Sequence, residues 1–253
     1  MTLSYQLFKH LLFTPMIKLF WRPWVQGLEN VPRNGAVIMA ANHISIGDPV
    51  LLAAMLNRQM AYPAKAEAFE KGRSLKDRII AWFLKTVGML PLDRSGGRAS
   101  ADSLGVVGEV LAEGQKVLGI FPEGTRSPDG RLYKGKTGVA RLALATGAPV
   151  IPVAMFDTEI TPGLFGIPRM VRPGIRIGKP LDFSDYRDRP TDRVVLRWVT
   201  DEIVNAIHQL SGQEYVDVYG ASAKSGNFTA EQLAARVLPR PGANTERPAL
   251  PKE

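Results

Sequence analysis

The sequence contains no cysteine and only three histidines among its 253 residues. Without cysteine, structural disulfides, thiolate metal sites and cysteine nucleophiles are excluded, so any catalysis must use other side chains. The histidines are His10, His43 and His208. Because histidine is the side chain that gains or loses its charge near neutral pH, a histidine close to a carboxylate is the first place to look for proton chemistry.

Long apolar runs are also missing. Residues 1–24 are rich in apolar and aromatic side chains, but Lys9, His10, Lys18 and Arg22 interrupt them, and no run reaches the roughly 20 apolar residues of a transmembrane helix. This composition favours short amphipathic helices in the membrane interface, with aromatic rings buried and cations at the headgroups. The alternative is that these residues pack on the protein's own core. We expect peripheral or monotopic attachment at the cytoplasmic face of the cell membrane.

The net charge of +8 and the isoelectric point near 9.8 favour anionic partners, which include nucleic acid, phosphate-bearing small molecules and the membrane surface. Lysine and arginine are scattered along the chain, and the sequence has no zinc-finger spacing, basic zipper or RNA-binding aromatic run. We therefore expect no nucleic-acid partner. A basic surface that is merely well solvated is the alternative.

Strand-like and helix-like segments alternate along the middle of the chain. The strand-like runs are residues 36–41, 60–65, 117–121, 150–156 and 175–177. The helix-like runs are residues 49–57, 74–86, 99–113, 137–146 and 192–210. This alternation predicts an α/β domain over residues 25–211, with a mixed, largely parallel sheet flanked by helices.

The C-terminal extension, residues 212–253, ends in a proline-rich stretch that is poor in apolar residues. That composition predicts partial disorder. A short helix is expected before the stretch, over residues 228–237, because Thr229 and Gln232 have the spacing of a capping box.

The stretch ANHISIGDPV, residues 41–50, places His43 and Asp48 between a predicted strand and a predicted helix. Residues five apart lie about 140° apart around a continuous helix. The two side chains can therefore meet only if His43 lies in the turn before the helix. Ser45 and Asp48 also match a capping box, so Asp48 could serve only as a helix cap.

A second informative stretch begins FPEGTR at residue 121, where a strand-like run leads into Glu123, Gly124, Thr125 and Arg126. Glycine lets backbone N–H groups approach an anion, and a guanidinium can bind phosphate through two hydrogen bonds. The pattern indicates phosphate recognition.

The same region also matches G-x-x-x-x-G-K-T, the P-loop of nucleotide triphosphatases, at Gly130, Gly135, Lys136 and Thr137. A P-loop should follow its strand directly, whereas about eight residues separate the predicted strand from the first glycine here. The run that could supply a partner strand, residues 150–156, contains a proline, which is unusual in a central strand. A P-loop ATPase remains a rival interpretation.

Four stretches, in order, are NHISIGD, GMLPLDR, FPEGTRS and APVIPVA, and AKAEAF at residues 64–69 lies between the first two. Together they resemble the motif set of the PlsC-like glycerolipid acyltransferases, most closely the 1-acylglycerol-3-phosphate acyltransferases. The resemblance spans residues 25–210. It implies transfer of a fatty acyl group from coenzyme A, or from acyl carrier protein, to the free hydroxyl of lysophosphatidic acid, which forms phosphatidic acid with no metal or other cofactor.

Carried over to this sequence, the resemblance implies that His43 and Asp48 are the catalytic pair. The residues that it implies for substrate binding are Lys65, Arg94, Glu123, Gly124, Thr125 and Arg126. We expect the acceptor hydroxyl to attack the thioester directly, without an acyl-enzyme, because the chain has no cysteine and no G-x-S-x-G elbow. Ser45 is the only local rival nucleophile, and we expect it to cap a helix instead.

Other acceptors stay open within this interpretation, including glycerol 3-phosphate, another lysophospholipid and a glycolipid. Outside it, the rival classes are the P-loop ATPase and a noncatalytic lipid-binding protein at the membrane surface.

Overall fold

The structure, a computed structural model, describes residues 8–65, 78, 90–92, 105, 107–109, 111, 117–163 and 168–250. The helices predicted at residues 74–86 and 99–113 lie largely outside this set.

A six-stranded sheet forms the centre of the molecule, in the order β1-β11-β8-β2-β6-β3. Only the β11–β8 pair is antiparallel, and the other four pairs are parallel. Its strands are β1 (Trp24–Gln26), β2 (Val37–Ala41), β3 (Met60–Ala61), β6 (Val117–Ile120), β8 (Val150–Phe156) and β11 (Gly174–Ile177). The prediction of an α/β fold with a mixed, largely parallel sheet is confirmed.

Smaller sheets lie around this centre. β4 (Pro63–Lys65) pairs with β5 (Leu90–Leu92) in parallel, and β9 (Thr161–Pro162) pairs with β10 (Pro168–Arg169) in antiparallel. β12 (Tyr215–Val216) lies between β7 (Leu132–Tyr133) and β13 (Val237–Leu238).

Helices cover both faces of the central sheet, among them α1 (Thr14–Trp21), α2 (Asp48–Met55), α3 (Gly138–Thr146) and α4 (Arg193–Ser211). Every residue of β2 is buried, as expected for a strand covered on both sides. Its alternate residues divide between two cores: Ile38 and Ala40 pack with α3 and α4, whereas Val37, Met39 and Ala41 pack with α2 and two residues of α1. The two helical layers therefore lie on opposite faces of the sheet.

The proline of residues 150–156 was expected to count against a central strand. That expectation is wrong, because the residue lies in one. Pro152 lies in β8, between β2 and β11. Its carbonyl oxygen accepts a hydrogen bond from the backbone N–H of Gly178, one residue beyond the end of β11. The N–H and C=O of a strand residue point to the same side, so the missing N–H of Pro152 also faces Gly178. The hydrogen bond that proline cannot make therefore falls just beyond the last paired residue of β11.

The N-terminal segment forms a π-helix, Phe8–Phe13, that continues into α1. Lys9 is buried, and its Nζ donates to the carbonyl oxygen of Leu56 just after α2. Ile17 of α1 is buried in the core. Several apolar side chains of this segment nevertheless face solvent, namely Leu11, Met16, Leu19 and Phe20. Among the described residues, no helix has both the length and the apolar character that crossing a membrane requires.

The C-terminal extension, for which partial disorder was expected, forms short elements and tertiary contacts over residues 212–250. α5 (Gly220–Lys224) and α6 (Ala230–Ala234) follow β12, and Thr229 and Gln232 form the predicted capping box. Two residues beyond β13 bind the domain. The carbonyl oxygen of Pro248 accepts from the Tyr186 hydroxyl, and the Thr245 hydroxyl donates to Asp201. Polar contacts of this kind hold a chain with few apolar residues against the domain, and composition does not reveal them.

Candidate active site

Three neighbouring parallel strands end at the same edge of the central sheet, and each is followed by a side chain of the site. β2 leads to His43, β6 leads to Glu123 and β8 leads to Thr158. In α/β sheets the carboxyl ends of the strands are where functional groups gather. The sheet order therefore brings together residues that lie up to 115 positions apart, from His43 to Thr158.

The side chains of His43 and Asp48 meet as the sequence predicted. His43 lies in the turn before α2, Asp48 is the first residue of that helix, and His43 Nδ1 lies 2.8 Å from Asp48 Oδ2. The Asp48 side chain is fully buried, whereas that of His43 is 18% exposed. The hydrogen bond to Asp48 occupies Nδ1, so Nε2 is the ring nitrogen that remains for a substrate proton.

Four donors converge on the buried Asp48 carboxylate. Oδ2 accepts from His43 Nδ1 and from the backbone N–H groups of Ile44 and Ser45, at 2.7 and 2.9 Å. Oδ1 accepts from the hydroxyl of Thr158. A buried carboxylate with this many donors is held as a fixed acceptor, and it fixes the orientation of the imidazole in turn.

The turn that carries His43 is fixed by two side chains that the sequence analysis did not identify. The Asn42 amide spans to β8, where its Oδ1 accepts from Met155 N at 2.7 Å and its Nδ2 donates to Met155 O at 3.2 Å. Thr158 extends beyond β8 to reach Asp48. Polar residues within three positions of the end of each parallel strand were the available signal, because adjacent strands deliver such residues to one edge.

The imidazole of His43 also stacks on an aromatic ring. The centroids of His43 and Phe121 are 4.0 Å apart with an angle of 17° between the planes, and Phe121 stacks in turn against Tyr62 at 6.1 Å. The ring is therefore held on one side by the Asp48 hydrogen bond and on one face by Phe121.

Glu123 supports the backbone of the site. Its side chain is buried, Oε1 accepts from His43 N at 2.9 Å, and Oε2 accepts from Tyr133 N at 3.1 Å. Burial raises the pKa of the Glu123 carboxyl from 4.5 to about 8, although the two backbone N–H donors oppose the rise. Since both oxygens bind backbone donors, this geometry favours a supporting role over contact with glycerol oxygens.

Glu123 should make the stability of the fold depend on pH. Between pH 4.5 and 8 the folded chain keeps the Glu123 proton and the unfolded chain loses it, so the stabilisation present below pH 4.5 is lost as the pH rises to about 8. The free energy of unfolding should fall by up to about 1.4 kcal/mol per pH unit in this window. Glu123→Gln, which carries no titrating group, should flatten the slope in urea denaturation measured across the window. The exposed control Glu29→Gln should keep the original slope, and equal slopes for all three proteins would contradict the assignment.

The rest of the FPEGTR stretch forms a tight turn beside the dyad. Gly124 has a left-handed backbone, φ +69°, and its N–H donates to the carbonyl oxygen of Phe121 at 2.9 Å. Thr125 is half-buried, whereas Arg126 is exposed and forms no ion pair with any other described residue. The carbonyl oxygen of His43 accepts from Ser127 N at 2.7 Å, which ties this turn to the dyad. Arg126 is thus available to an anion near the dyad.

Two predicted substrate-binding residues cannot be placed in this way. The structure describes the backbone of Lys65, the last residue of β4, but not its side chain. Arg94 lies outside the described residues altogether. Their assignment to the site stays a prediction.

The P-loop interpretation is wrong. β7 lies between Gly130 and Gly135, so the G-x-x-x-x-G-K-T residues do not form one loop between a strand and a helix. Gly135 is buried, and a Cβ atom there would lie 2.7 Å from Val204 and 3.0 Å from Thr200 of α4. Gly135 therefore packs against α4, whereas a nucleotide would need the backbone N–H groups at this position to be open to solvent.

Ser45 does not cap α2, which corrects another expectation. The helix begins at Asp48 with Gly47 as its N-terminal cap, and the Ser45 hydroxyl accepts from Gly47 N at 3.2 Å, before the helix starts. Half of the capping box forms, since the Asp48 carboxylate accepts from Ser45 N. The other half does not, because Asp48 N donates to the carbonyl oxygen of Ser45 rather than to its hydroxyl.

Comparison with known proteins gives a consistent result. The family model described as Acyltransferase matches residues 22–156. The 1-acyl-sn-glycerol-3-phosphate acyltransferase LPAT1 of Arabidopsis thaliana is 33% identical over 168 residues, which is 65% of this chain and 45% of that protein. A chloroplastic counterpart from Brassica napus is 34% identical over 55% of this chain and 38% of its own length. This chain thus spans less than half the length of these two relatives.

A solved structure is also similar. The 1-acyl-sn-glycerophosphate (LPA) acyltransferase PlsC from Thermotoga maritima matches with a TM-score of 0.55 and 25% identity. The match covers 78% of this chain and 75% of that one.

Proposed function

Because this chain belongs to the PlsC family of acyltransferases, we propose that it transfers a fatty acyl group to the free hydroxyl of lysophosphatidic acid, forming phosphatidic acid. The observation that carries the proposal is the hydrogen bond of 2.8 Å between His43 Nδ1 and the buried Asp48 carboxylate. The proposed donor is acyl-CoA or acyl carrier protein, and the proposed site of action is the cytoplasmic face of the cell membrane.

In the proposed reaction His43 is the general base. Nε2 takes the proton of the acceptor hydroxyl while the hydroxyl oxygen forms a bond to the thioester carbonyl carbon. When the tetrahedral intermediate collapses, the carbon–sulfur bond breaks and the imidazolium returns the proton to the leaving thiolate. Asp48 holds the ring in the required tautomer and stabilises its positive charge between the two steps.

Two features of the site favour direct transfer to the acceptor. The chain contains no cysteine, and Ser45, the rival nucleophile in the turn that carries the dyad, is 7% exposed with its hydroxyl bound to Gly47 N. A covalent acyl-enzyme would need an accessible nucleophile next to the base.

Arg126 is the proposed contact for the acceptor phosphate, together with Lys65 and Arg94. Replacing Arg126 by alanine should raise the KM for lysophosphatidic acid about tenfold or more and change kcat little, because a charge-assisted phosphate contact is lost in both ground and transition states. Steady-state kinetics with varied acceptor measures both constants. Arg193→Ala removes an exposed arginine at the start of α4, which lies on the face of the sheet opposite α2, and should leave KM unchanged. An unchanged KM in Arg126→Ala would remove this residue from the phosphate site.

The assay that tests the function follows two products at once. The purified protein is incubated with acyl-CoA and lysophosphatidic acid, and both free thiol and phosphatidic acid are measured. Stoichiometric appearance of the two supports the proposal. Thiol release without a lipid product would indicate thioester hydrolysis, and parallel incubations with glycerol 3-phosphate and other lysophospholipids identify the acceptor.

A further inference from the structure

Three apolar side chains in or near the turn that carries the dyad face solvent. Ile46, between His43 and Asp48 in the chain, is 65% exposed, Ile160 is 38% exposed and Val171 is 62% exposed. We call these three residues, with Arg169 and Arg172, the rim. Exposed aliphatic side chains beside polar catalytic groups need a reason, because exposing them to water is unfavourable and the site does not require them for the chemistry.

The rim residues come from two segments that pack on each other. A Cβ atom on Gly47 would lie 2.1 Å from Met170 Cε, 2.9 Å from the carbonyl oxygen of Thr158 and 3.5 Å from Ile160 Cγ1. The segment after β8 therefore covers the turn that carries the dyad. Ile46 and Val171 are the chain neighbours of the two residues in closest contact, Gly47 and Met170.

The rim also adjoins the N-terminal helix. Trp24 N donates to the carbonyl oxygen of Pro173 at 3.1 Å, and Trp24 pairs with Gly174 where β1 meets β11. Pro173 lies two residues after Val171, and Trp24 lies three residues after the end of α1. The chain that leaves α1 and the chain that leaves the rim thus meet at one edge of the sheet.

The charges around these residues are mainly positive. Lys18, Arg22, Arg169 and Arg172 are exposed, against the exposed acidic residues Asp157 and Glu159. Aliphatic side chains flanked by cations are the composition of surfaces that bind anionic bilayers, where the apolar groups enter the headgroup region and the cations meet lipid phosphates.

We infer that the rim is a second membrane contact, which together with α1 holds the opening of the site against an anionic bilayer. The inference rests on the proposed function in one respect: a lysolipid acceptor would then reach His43 from the bilayer without passing through water. The membrane is favoured over a protein partner because the exposed apolar surface continues onto α1, beyond the site itself.

The test introduces a charge into the rim of the full-length chain. Val171→Glu and Ile160→Glu should each weaken binding to vesicles of phosphatidylcholine and phosphatidylglycerol in equal parts by about tenfold, measured by cosedimentation, because an aliphatic side chain can no longer leave water. The matched control is Val194→Glu: Val194 is 60% exposed, but it lies in α4 on the opposite face of the sheet. Its binding should equal that of the unmodified chain. Replacing both Arg169 and Arg172 by glutamine should weaken binding to the mixed vesicles and not to pure phosphatidylcholine.

Enzyme assays separate this inference from the proposed function. With a short-chain acceptor dissolved as monomers, Val171→Glu should keep the turnover of the unmodified chain, whereas turnover of acceptor embedded in the mixed vesicles should fall with vesicle binding. Vesicle binding of Val171→Glu equal to that of Val194→Glu would overturn the inference. So would unchanged vesicle binding with a raised KM for acyl carrier protein thioesters, which would make the rim a protein docking site. If the unmodified chain transfers no acyl group to any acceptor, the proposed function fails and the vesicle measurements still decide the inference.

Discussion

Replacing His43 by alanine is expected to lower kcat for acyl transfer by about 10²–10⁴-fold, the range that a positioned general base contributes. The fold should persist. The substitution removes a partly exposed ring, and Asp48 Oδ2 keeps its two backbone N–H donors. Loss of one hydrogen bond and of the stacking on Phe121 should cost about 1–2 kcal/mol of unfolding free energy. Thiol release under saturating substrates measures the first effect, and urea denaturation measures the second.

His10→Ala is the matched control for this experiment. His10 is exposed on the N-terminal π-helix, remote in the chain from the dyad, and its loss should leave kcat unchanged when the acceptor is soluble, so that membrane attachment does not enter. If His43→Ala retained kcat within a few-fold of the unmodified chain, the general-base assignment would be wrong, whatever the fate of His10→Ala.

Much of the fold was accessible from local sequence patterns. The strands of the central sheet that carry the site are continuous apolar runs, and β8 has the bounds that its apolar pattern predicted, residues 150–156. Helices α2 and α4 begin and end within two residues of their predicted limits. The apolar pattern and its periodicity indicate these elements, and both can be read without knowing the distant partners.

The parts that the sequence did not reveal depend on contacts between distant segments. β7, β12 and β13 are only two residues long, and they form a sheet because residues 132, 215 and 238 meet in space. The C-terminal extension is held by polar contacts of the same long-range kind. Short strands and polar anchors leave no periodic signal, so composition predicted partial disorder for a segment whose described residues are packed.

The candidate site divides in the same way. The spacing of His43 and Asp48 allowed them to meet if a turn precedes the helix, which is a local condition, and the resemblance implied that they form a pair. The contribution of Thr158 did not, because it depends on β8 lying next to β2 in the sheet. Glu123 was expected in the site from its motif, but its attachment to the backbone of His43 and Tyr133 emerged only from the geometry.

Asp48→Asn is expected to give the second large effect, a loss of about 10²-fold or more in kcat with little change in fold. The asparagine oxygen can accept the donors that now reach Oδ2, and its amino group can donate to the Thr158 hydroxyl, so the hydrogen bonds survive. The negative charge does not. The imidazolium that forms when His43 takes the substrate proton loses its stabilisation, and KM should change little because substrate binding precedes that charge.

Thr158 provides a graded comparison for this prediction. Thr158→Val keeps the shape of the side chain and removes the donor to Asp48 Oδ1, and it should lower kcat by about tenfold. Thr158→Ser restores the hydroxyl and should recover most of the activity. If valine and serine had equal effects, the contribution of Thr158 would be packing rather than the hydrogen bond, and Thr158 would not be a positioning residue.

The combined variant decides whether His43 and Asp48 act as a unit. If the carboxylate works only through the imidazole, Asp48→Asn should have almost no effect on kcat once His43 is alanine, because the charge that Asp48 stabilises never forms. Independent roles would instead make the two losses multiply. The double variant therefore separates a dyad from two residues that merely lie 2.8 Å apart, and multiplicative losses would contradict the mechanism proposed here.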